Sequence, residues 1–352
     1  MSKHSSRHTF TYKTEPVDIL CDVYLPDETK FGVVAALTRQ ILASAGGKTA
    51  VQEEHKLPVL IYWHGGGLTA GNRQTWIPQW LFNDALDAGF IIVSADYRLL
   101  TPSSAHVVVK DAKDLVEWVH TKLNVHLSNV SSQLADLDRV AVSGSSAGGY
   151  VAYQACLHAQ PTPNAICSIY GAGGDFLLDH WCTPKTEPWY KGRPLFALDD
   201  PRFLAILETP KTKPATTGTE ATDPRNEYTF WLMQKGEWLD MVSGEAGLGA
   251  RLRELSSAER AKAIPEAARI TFPQFGIEKA QRFPPIIFVH GSVDEAILIE
   301  ESRSLAETLR KKGTVEVEFL EFEGKNHSFD LDEELVELNK VVPFLLRHVH
   351  KK

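Results

Sequence analysis

Short runs that are apolar at nearly every position alternate along this chain with longer stretches whose apolar residues return every third or fourth place. The first kind suits strands buried on both faces, and the second suits helices laid over them. Leu57 to Trp63, Phe90 to Ala95, Ala165 to Tyr170 and Pro285 to Gly291 are runs of the first kind, with Asp138 to Ser143 as another of strand length. Val315 to Phe322 alternates at the strand period. Val108, Ala112, Leu115, Val116, Val119 and Leu123 fall on one helical face, with Lys110, Asp114 and Glu117 on others. Glu301 to Lys312 sets Leu305, Ala306 and Leu309 on one side and ends in Arg310-Lys311-Lys312-Gly313, a basic last turn with a glycine stop. Asp332 to Val349 carries Leu335, Leu338, Val342 and Leu345 as its apolar row, with Pro343 expected to kink or divide it. This alternation predicts an α/β fold with a mainly parallel central sheet flanked by helices. At the N-terminus, His8 to Lys13 and Val17 to Leu25 read as a pair of antiparallel edge strands, and Thr38 to Lys56 reads as a long surface loop.

One stretch breaks the alternation. Residues 175–283 are rich in Pro and Trp and contain a polar tract, Lys211 to Pro224, which reads as a flexible loop. They also hold one amphipathic helix candidate, in which Tyr228, Trp231, Leu232, Trp238, Leu239 and Val242 recur near helical spacing. The expected organisation is a main domain made of residues 1–174 and 284–352, with residues 175–283 inserted into it. No internal repeat is visible.

Composition narrows the class. With 352 residues, 43% hydrophobic and 23% charged, the chain has the balance of a folded globular protein and room for one large core plus an accessory element. A formal net charge of −8 argues against nucleic acid or an anionic membrane as partner. No apolar run is long enough for a transmembrane helix, and the first residues lack the apolar core of a secretory signal. Cys21, Cys156, Cys167 and Cys182 are too scattered for a disulfide scaffold or a zinc site, so they read as free thiols in a cytoplasmic protein.

The candidate chemistry begins at Gly144-Ser145-Ser146-Ala147-Gly148, a serine between glycines directly after a strand and before the helix expected from Gly148 to Ala159. A sharp strand-to-helix turn exposes a serine hydroxyl to a base, and small flanking residues let the turn close. His64-Gly65-Gly66-Gly67 ends the strand at Leu57 to Trp63, where bare backbone N–H groups could approach a developing oxyanion together with that of Ala147. Asp294 stands just beyond the Pro285 to Gly291 strand, and His327 follows the last strand on the loop Gly324-Lys325-Asn326. Each has a plainer reading beside the catalytic one: Ser146 as a helix N-cap, Asp294 as a turn residue in competition with Glu295, His327 as a surface loop residue. His64 and His290 sit at strand ends and read as packing residues.

These motifs, with Ala95-Asp96-Tyr97-Arg98-Leu99 and Pro102, make the chain resemble the hormone-sensitive-lipase-like family of α/β-hydrolase serine esterases, from about Val59 to about Phe329. The resemblance implies an α/β-hydrolase fold and Ser146, Asp294 and His327 as triad in the chain order of that fold. It also implies Gly65, Gly66, Gly67 and Ala147 as oxyanion hole, and a cap or lid at residues 175–283. Asp96 and Arg98 would form a structural pair under the site. Three segments depart from the family pattern. Ser145 stands where many members carry Asp, Leu100-Thr101-Pro102 replaces Ala-Pro-Glu, and Ser292-Val293-Asp294-Glu295 replaces Asp-Pro-Leu. The last is similar to the His-Gly-x-x-Asp segment of dienelactone-hydrolase and prolyl-peptidase relatives.

The expected function is hydrolysis of a small to medium apolar carboxylic ester through an acyl-enzyme, with no metal or organic cofactor. Two alternatives stay open. The same residues would cleave a biosynthetic thioester, lactone or amide, and the fold also serves non-catalytic small-molecule receptors such as the gibberellin receptors. Those receptors lack the triad histidine, whereas this chain has His327. The motifs leave the natural substrate and the oligomeric state open.

Overall fold

Leu57–Trp63 (β3) shows how the alternation becomes architecture. All of its residues are buried. Val59, Ile61 and Trp63 join the core on one face of the sheet, while Leu60 and Tyr62 join the core on the other. Each large apolar side chain taken from water in this way contributes roughly 1.5–3 kcal/mol, which is why such a strand settles in the middle of a covered sheet. The computed structural model describes residues 6–14, 16–27, 56–331 and 335–350. Most of the expected loop from Thr38 to Lys56 lies outside the described residues.

The other strands are Ser6–Lys13 (β1), Ile19–Leu25 (β2), Ile91–Ala95 (β4), Ala135–Ser145 (β5), Ala165–Ile169 (β6), Ile286–Gly291 (β7) and Val317–Phe322 (β8). They form one eight-stranded sheet in the order β1-β2-β4-β3-β5-β6-β7-β8. The pairs β1–β2 and β2–β4 are antiparallel, and every pairing from β4 to β8 is parallel. Only β1 of the N-terminal pair is an edge strand. β2 lies one place in, with Cys21 opposite Ala95, because its almost wholly buried pattern needs a neighbour on both sides.

Helices cover both faces. Ala105–Leu127 (α2), Ala147–His158 (α3) and Ile299–Lys312 (α11) supply Val108, Leu115, Val151, Leu305 and Leu309 to one core. Gln79–Asp87 (α1) and Val341–Val349 (α12) supply Leu81, Phe82, Phe344 and Leu345 to the other. Pro343 does not kink a long terminal helix. A 3-10 turn occupies Val336–Lys340, and Pro343 falls in the first turn of α12, where its missing N–H has no intrahelical partner to lose. The first residues of the expected element, 332–334, are outside the described residues.

Residues 175–283 carry helices and no strand of the sheet: Asp179–Cys182 (α4), Pro201–Leu207 (α5), Arg225–Lys235 (α6), Trp238–Ser243 (α7), Leu248–Arg253 (α8), Ser257–Ala263 (α9) and Pro273–Lys279 (α10). The single amphipathic helix expected from Tyr228 to Val242 is two. Gly236 adopts φ 68° and ends α6, and a β-carbon there would stand 2.5 Å from the Cys182 carbonyl oxygen, so the close approach of α4 enforces the break. The tract Lys211 to Pro224 is pinned rather than loose. Leu99 N–H donates to the Thr216 carbonyl at 2.7 Å, Thr219 N–H to the Gly71 carbonyl at 2.9 Å, and Gly71 N–H to Thr219 Oγ1 at 2.8 Å. Among the described residues no helix is long and apolar enough to cross a membrane.

Candidate active site

Because β3, β5, β7 and β8 run parallel, the loops after them open at one edge of the sheet, and each loop delivers one piece of the site. After β5 the chain turns sharply into α3 through Ser146, which sits at φ 55° and ψ −122°. That backbone is costly for a residue with a side chain, and here it is held from both sides. Ser146 N–H donates to the Ile169 carbonyl at 2.9 Å, and the Ser146 carbonyl accepts Gly149 N–H at 2.9 Å and Ala172 N–H at 3.0 Å. Gly148 must be glycine, since a β-carbon would run into the Trp63 carbonyl. Ser146 occupies the N-cap position of α3 but makes no side-chain capping bond, so its hydroxyl is free for other use.

His327 Nε2 lies 3.0 Å from Ser146 Oγ, and His327 Nδ1 lies 2.7 Å from Asp294 Oδ2. The other carboxylate oxygen of Asp294 accepts the N–H groups of Ala296 and Ile297, both at 2.9 Å. Burial pushes the Asp294 carboxyl up, yet the charges of and hydrogen bonds from His327 and His290 outweigh it and hold the group well below the ordinary carboxylate range. The imidazole of His327 packs on Tyr170, ring centroids 4.6 Å apart, and the Tyr170 hydroxyl donates to Asp330 at 2.6 Å. Glu295, the competing acid, turns away from His327 and accepts Asn326 Nδ2 at 2.7 Å.

The glycine loop stands beside the serine. Gly65, Gly66, Gly67 and Ala147 line the same cavity as Ser146 and His327, with Gly66 at φ 100° and Gly67 at φ 62°. Ala147 is the first residue of α3, so its N–H has no partner within the helix. His64 is buried beneath, stacked on Tyr97 at 4.4 Å with Nδ1 against the Gly65 carbonyl oxygen, and burial lowers its pKa to about 4. It is a neutral packing residue. His290 is likewise buried, hydrogen-bonded to Ser302 and to the Ile297 carbonyl. Asp96 and Arg98 do not pair with each other: Asp96 takes Arg73, and Arg98 takes Asp111 of α2 at 2.6 Å. Their partners come from a loop and a helix far apart in sequence, so adjacency in the Asp-Tyr-Arg segment carried no information about them.

The cavity measures about 180 Å³. Residues 175–283 contribute Trp181, Tyr190, Arg193, Asn226, Phe230, Met233 and Trp238 to its wall. Individual wall residues were not foreseen, since only the aromatic richness of residues 175–283 hinted at them. Glu301 of α11 supports that wall from behind. Fully buried, it accepts the N–H groups of Gly173 and Gly174 at 2.7 and 3.0 Å and Trp181 Nε1 at 2.7 Å.

Several known proteins are similar to this chain. A family model described as alpha/beta hydrolase fold matches residues 60–238, and one for the prolyl oligopeptidase family matches residues 246–352, where Asp294 and His327 lie. A probable carboxylesterase, M8, from a Phoma species is 26% identical over 75% of this chain and 76% of its own length. The non-reducing polyketide synthase ausA of Aspergillus calidoustus is 27% identical over 78% of this chain, which spans only 12% of that much longer protein. An alpha/beta hydrolase superfamily protein from Enterococcus faecalis, 15% identical, superposes with a TM-score of 0.59 over 97% of this chain and 99% of its own. The chain is a hydrolase and belongs to the α/β-hydrolase fold family.

Proposed function

We propose that the protein is a serine hydrolase that cleaves carboxylic esters through an acyl-enzyme, with Ser146 as nucleophile, His327 as general base and acid, and Asp294 as the group that orients His327. The observation that carries this reading is the unbroken relay from Asp294 Oδ2 to His327 at 2.7 Å and from His327 to Ser146 Oγ at 3.0 Å. Ser146 Oγ attacks the ester carbonyl carbon while His327 Nε2 takes its proton. The oxyanion is held by Ala147 N–H and the glycine-loop N–H groups, at the positive end of α3. His327 then protonates the departing alcohol, and water, deprotonated by the same imidazole, cleaves the acyl-enzyme.

Residues 175–283 act in this reading as the cap that shapes the substrate pocket, since the cavity wall facing Ser146 is drawn from them. A volume of about 180 Å³ falls below the ~300–1,000 Å³ of sites for drug-sized ligands, which favours a small or medium substrate. Cys21, Cys156, Cys167 and Cys182 are all buried free thiols, which suits work in a reducing cytoplasm. The likeness to part of a polyketide synthase favours a second substrate reading, release of a polyketide-derived acyl group from a thioester, for which the same residues serve.

The test is hydrolysis of p-nitrophenyl esters from acetate to palmitate by the wild type and by Ser146→Ala. Turnover that the substitution abolishes is the expected result. A folded protein that turns over neither these esters nor acyl thioesters would overturn the reading.

A further inference from the structure

Among the described residues that line the cavity, Arg193 is the one permanently cationic side chain, and none is Asp or Glu. Its guanidinium makes no salt bridge with any described residue. It lies instead among aromatic faces, 5.1 Å from the Phe230 ring centroid, 5.9 Å from Phe196 and 6.0 Å from Tyr190. Tyr190 in turn stacks on Phe230 at 4.5 Å and stands 6.3 Å from the ring of His327. The cation is thus one aromatic ring removed from the proposed catalytic base. In a chain of net charge −8, salt-bridge partners for an arginine are plentiful, so an arginine without one at the cavity wall keeps its charge for a ligand.

The backbone that presents it is built with effort. Trp189 and Arg193 exchange two hydrogen bonds, Arg193 N–H to the Trp189 carbonyl at 2.9 Å and Trp189 N–H to the Arg193 carbonyl at 3.2 Å. Between them Tyr190, Lys191 and Gly192 stand in succession at φ 46°, 60° and 69°. Two consecutive residues with side chains in the left-handed region are strained, and such strain persists where the position of a side chain matters. The turn is tied to the triad loops, since Lys191 N–H donates to Glu295 at 2.6 Å. Lys191 Nζ, 5.8 Å from the Tyr190 ring centroid, adds a second positive charge, offset in part by Glu295.

We propose that Arg193 forms an anion subsite and that the physiological substrate is an ester bearing a carboxylate on the portion that lies against Tyr190 and Phe230. A guanidinium stacked on ring faces keeps its in-plane N–H donors for a planar, two-toothed partner, and a carboxylate fits that fork. The proposal rests on the reading of Ser146 as nucleophile. It adds the chemical class of the substrate to that reading.

The experiment compares 4-nitrophenyl monoesters of linear dicarboxylic acids, adipic to sebacic, with the same compounds masked as methyl esters at the far carboxyl. At one chain length or more, kcat/KM for the free carboxylate exceeds that of its masked partner by about tenfold at low salt. Arg193→Gln brings that ratio close to one, and Arg193→Lys retains part of it. Binding of each pair to Ser146→Ala by calorimetry reads the same preference without turnover, so loss of the hydrolase reading and loss of the anion subsite are separable. A wild type that favours the masked ester at every length would overturn the proposal. So would an Arg193→Gln protein, folded by circular dichroism, whose ratio equals that of the wild type.

Discussion

The carboxylate of Glu295 accepts the backbone N–H of Lys191 at 2.6 Å, tying the turn that carries Tyr190 to the loop that carries Asp294. The same carboxylate takes Asn326 Nδ2 at 2.7 Å, while Asn326 Oδ1 accepts the N–H groups of Glu295 at 3.1 Å and His327 at 2.7 Å. Glu295 therefore joins three loops that come from distant parts of the chain, although it touches no reacting atom. Glu295→Ala should lower kcat by about tenfold through looser placement of His327, with a small change in melting temperature because the residue is exposed. Steady-state kinetics beside a thermal melt checks this, and an unchanged kcat would remove the positioning role.

Gly65 offers a sharper cut between fold and chemistry. A β-carbon there would lie 3.2 Å from the Ser145 carbonyl oxygen and 3.2 Å from the β-carbon of Ser146, tight contacts that small shifts can relieve. Gly65→Ala is expected to fold, at a cost of about 1–3 kcal/mol, but to crowd the space that the oxyanion needs. Its kcat should fall by about a hundredfold or more. Gly148→Ala, whose added methyl meets the Trp63 carbonyl head-on, should fail at the level of folding. Urea unfolding and single-turnover rates for both variants separate the two effects.

The strands and the order of the site residues are legible in the sequence because both are local. β3 announces itself by a run of buried residues, Ser146 directly follows β5, and Asp294 and His327 stand in the loops after β7 and β8. What escapes is whatever depends on how distant segments dock. The break at Gly236 comes from the backbone of α4, Asp96 and Arg98 find partners in Arg73 and Asp111, and Thr219 is held by Gly71. Arg193 is invisible for the same reason, since its meaning lies in the rings that close around it.

Glu301 makes stability depend on pH. Burial pushes its carboxyl up to about 8, against hydrogen bonds from Gly173, Asp175 and Trp181 that lower it. Between the ordinary value of 4.5 and about 8, the folded chain keeps a proton that the unfolded chain has lost. Stability from this group is therefore complete below the lower value and falls as pH rises through the upper one, by up to about 1.4 kcal/mol per pH unit. Glu301→Gln should remove this slope. Urea unfolding of both proteins at about pH 6 and about pH 9 tests it. Equal losses in both proteins would show that other groups set the slope.

Asp294→Asn should leave the fold in place and remove most of the catalysis. The asparagine oxygen can still accept from Ala296 and Ile297, as Asp294 Oδ1 does at 2.9 Å. Its amide then faces His327 Nδ1 and donates to it, which forces the imidazole proton onto Nε2. His327 would present an N–H to Ser146 Oγ where a lone pair is needed, so kcat should drop by about ten-thousandfold with a much smaller change in KM. Stability carries its own signature. The Asp294 carboxyl is held below its ordinary range, so its contribution is present above the unfolded value of 3.8 and lost as pH falls through the folded one. The stability gap between wild type and Asp294→Asn should accordingly be wide above about pH 4 and close in acid, and a gap that does not vary with pH would mean that the contacts of Asp294 do not hold its carboxyl below the ordinary range.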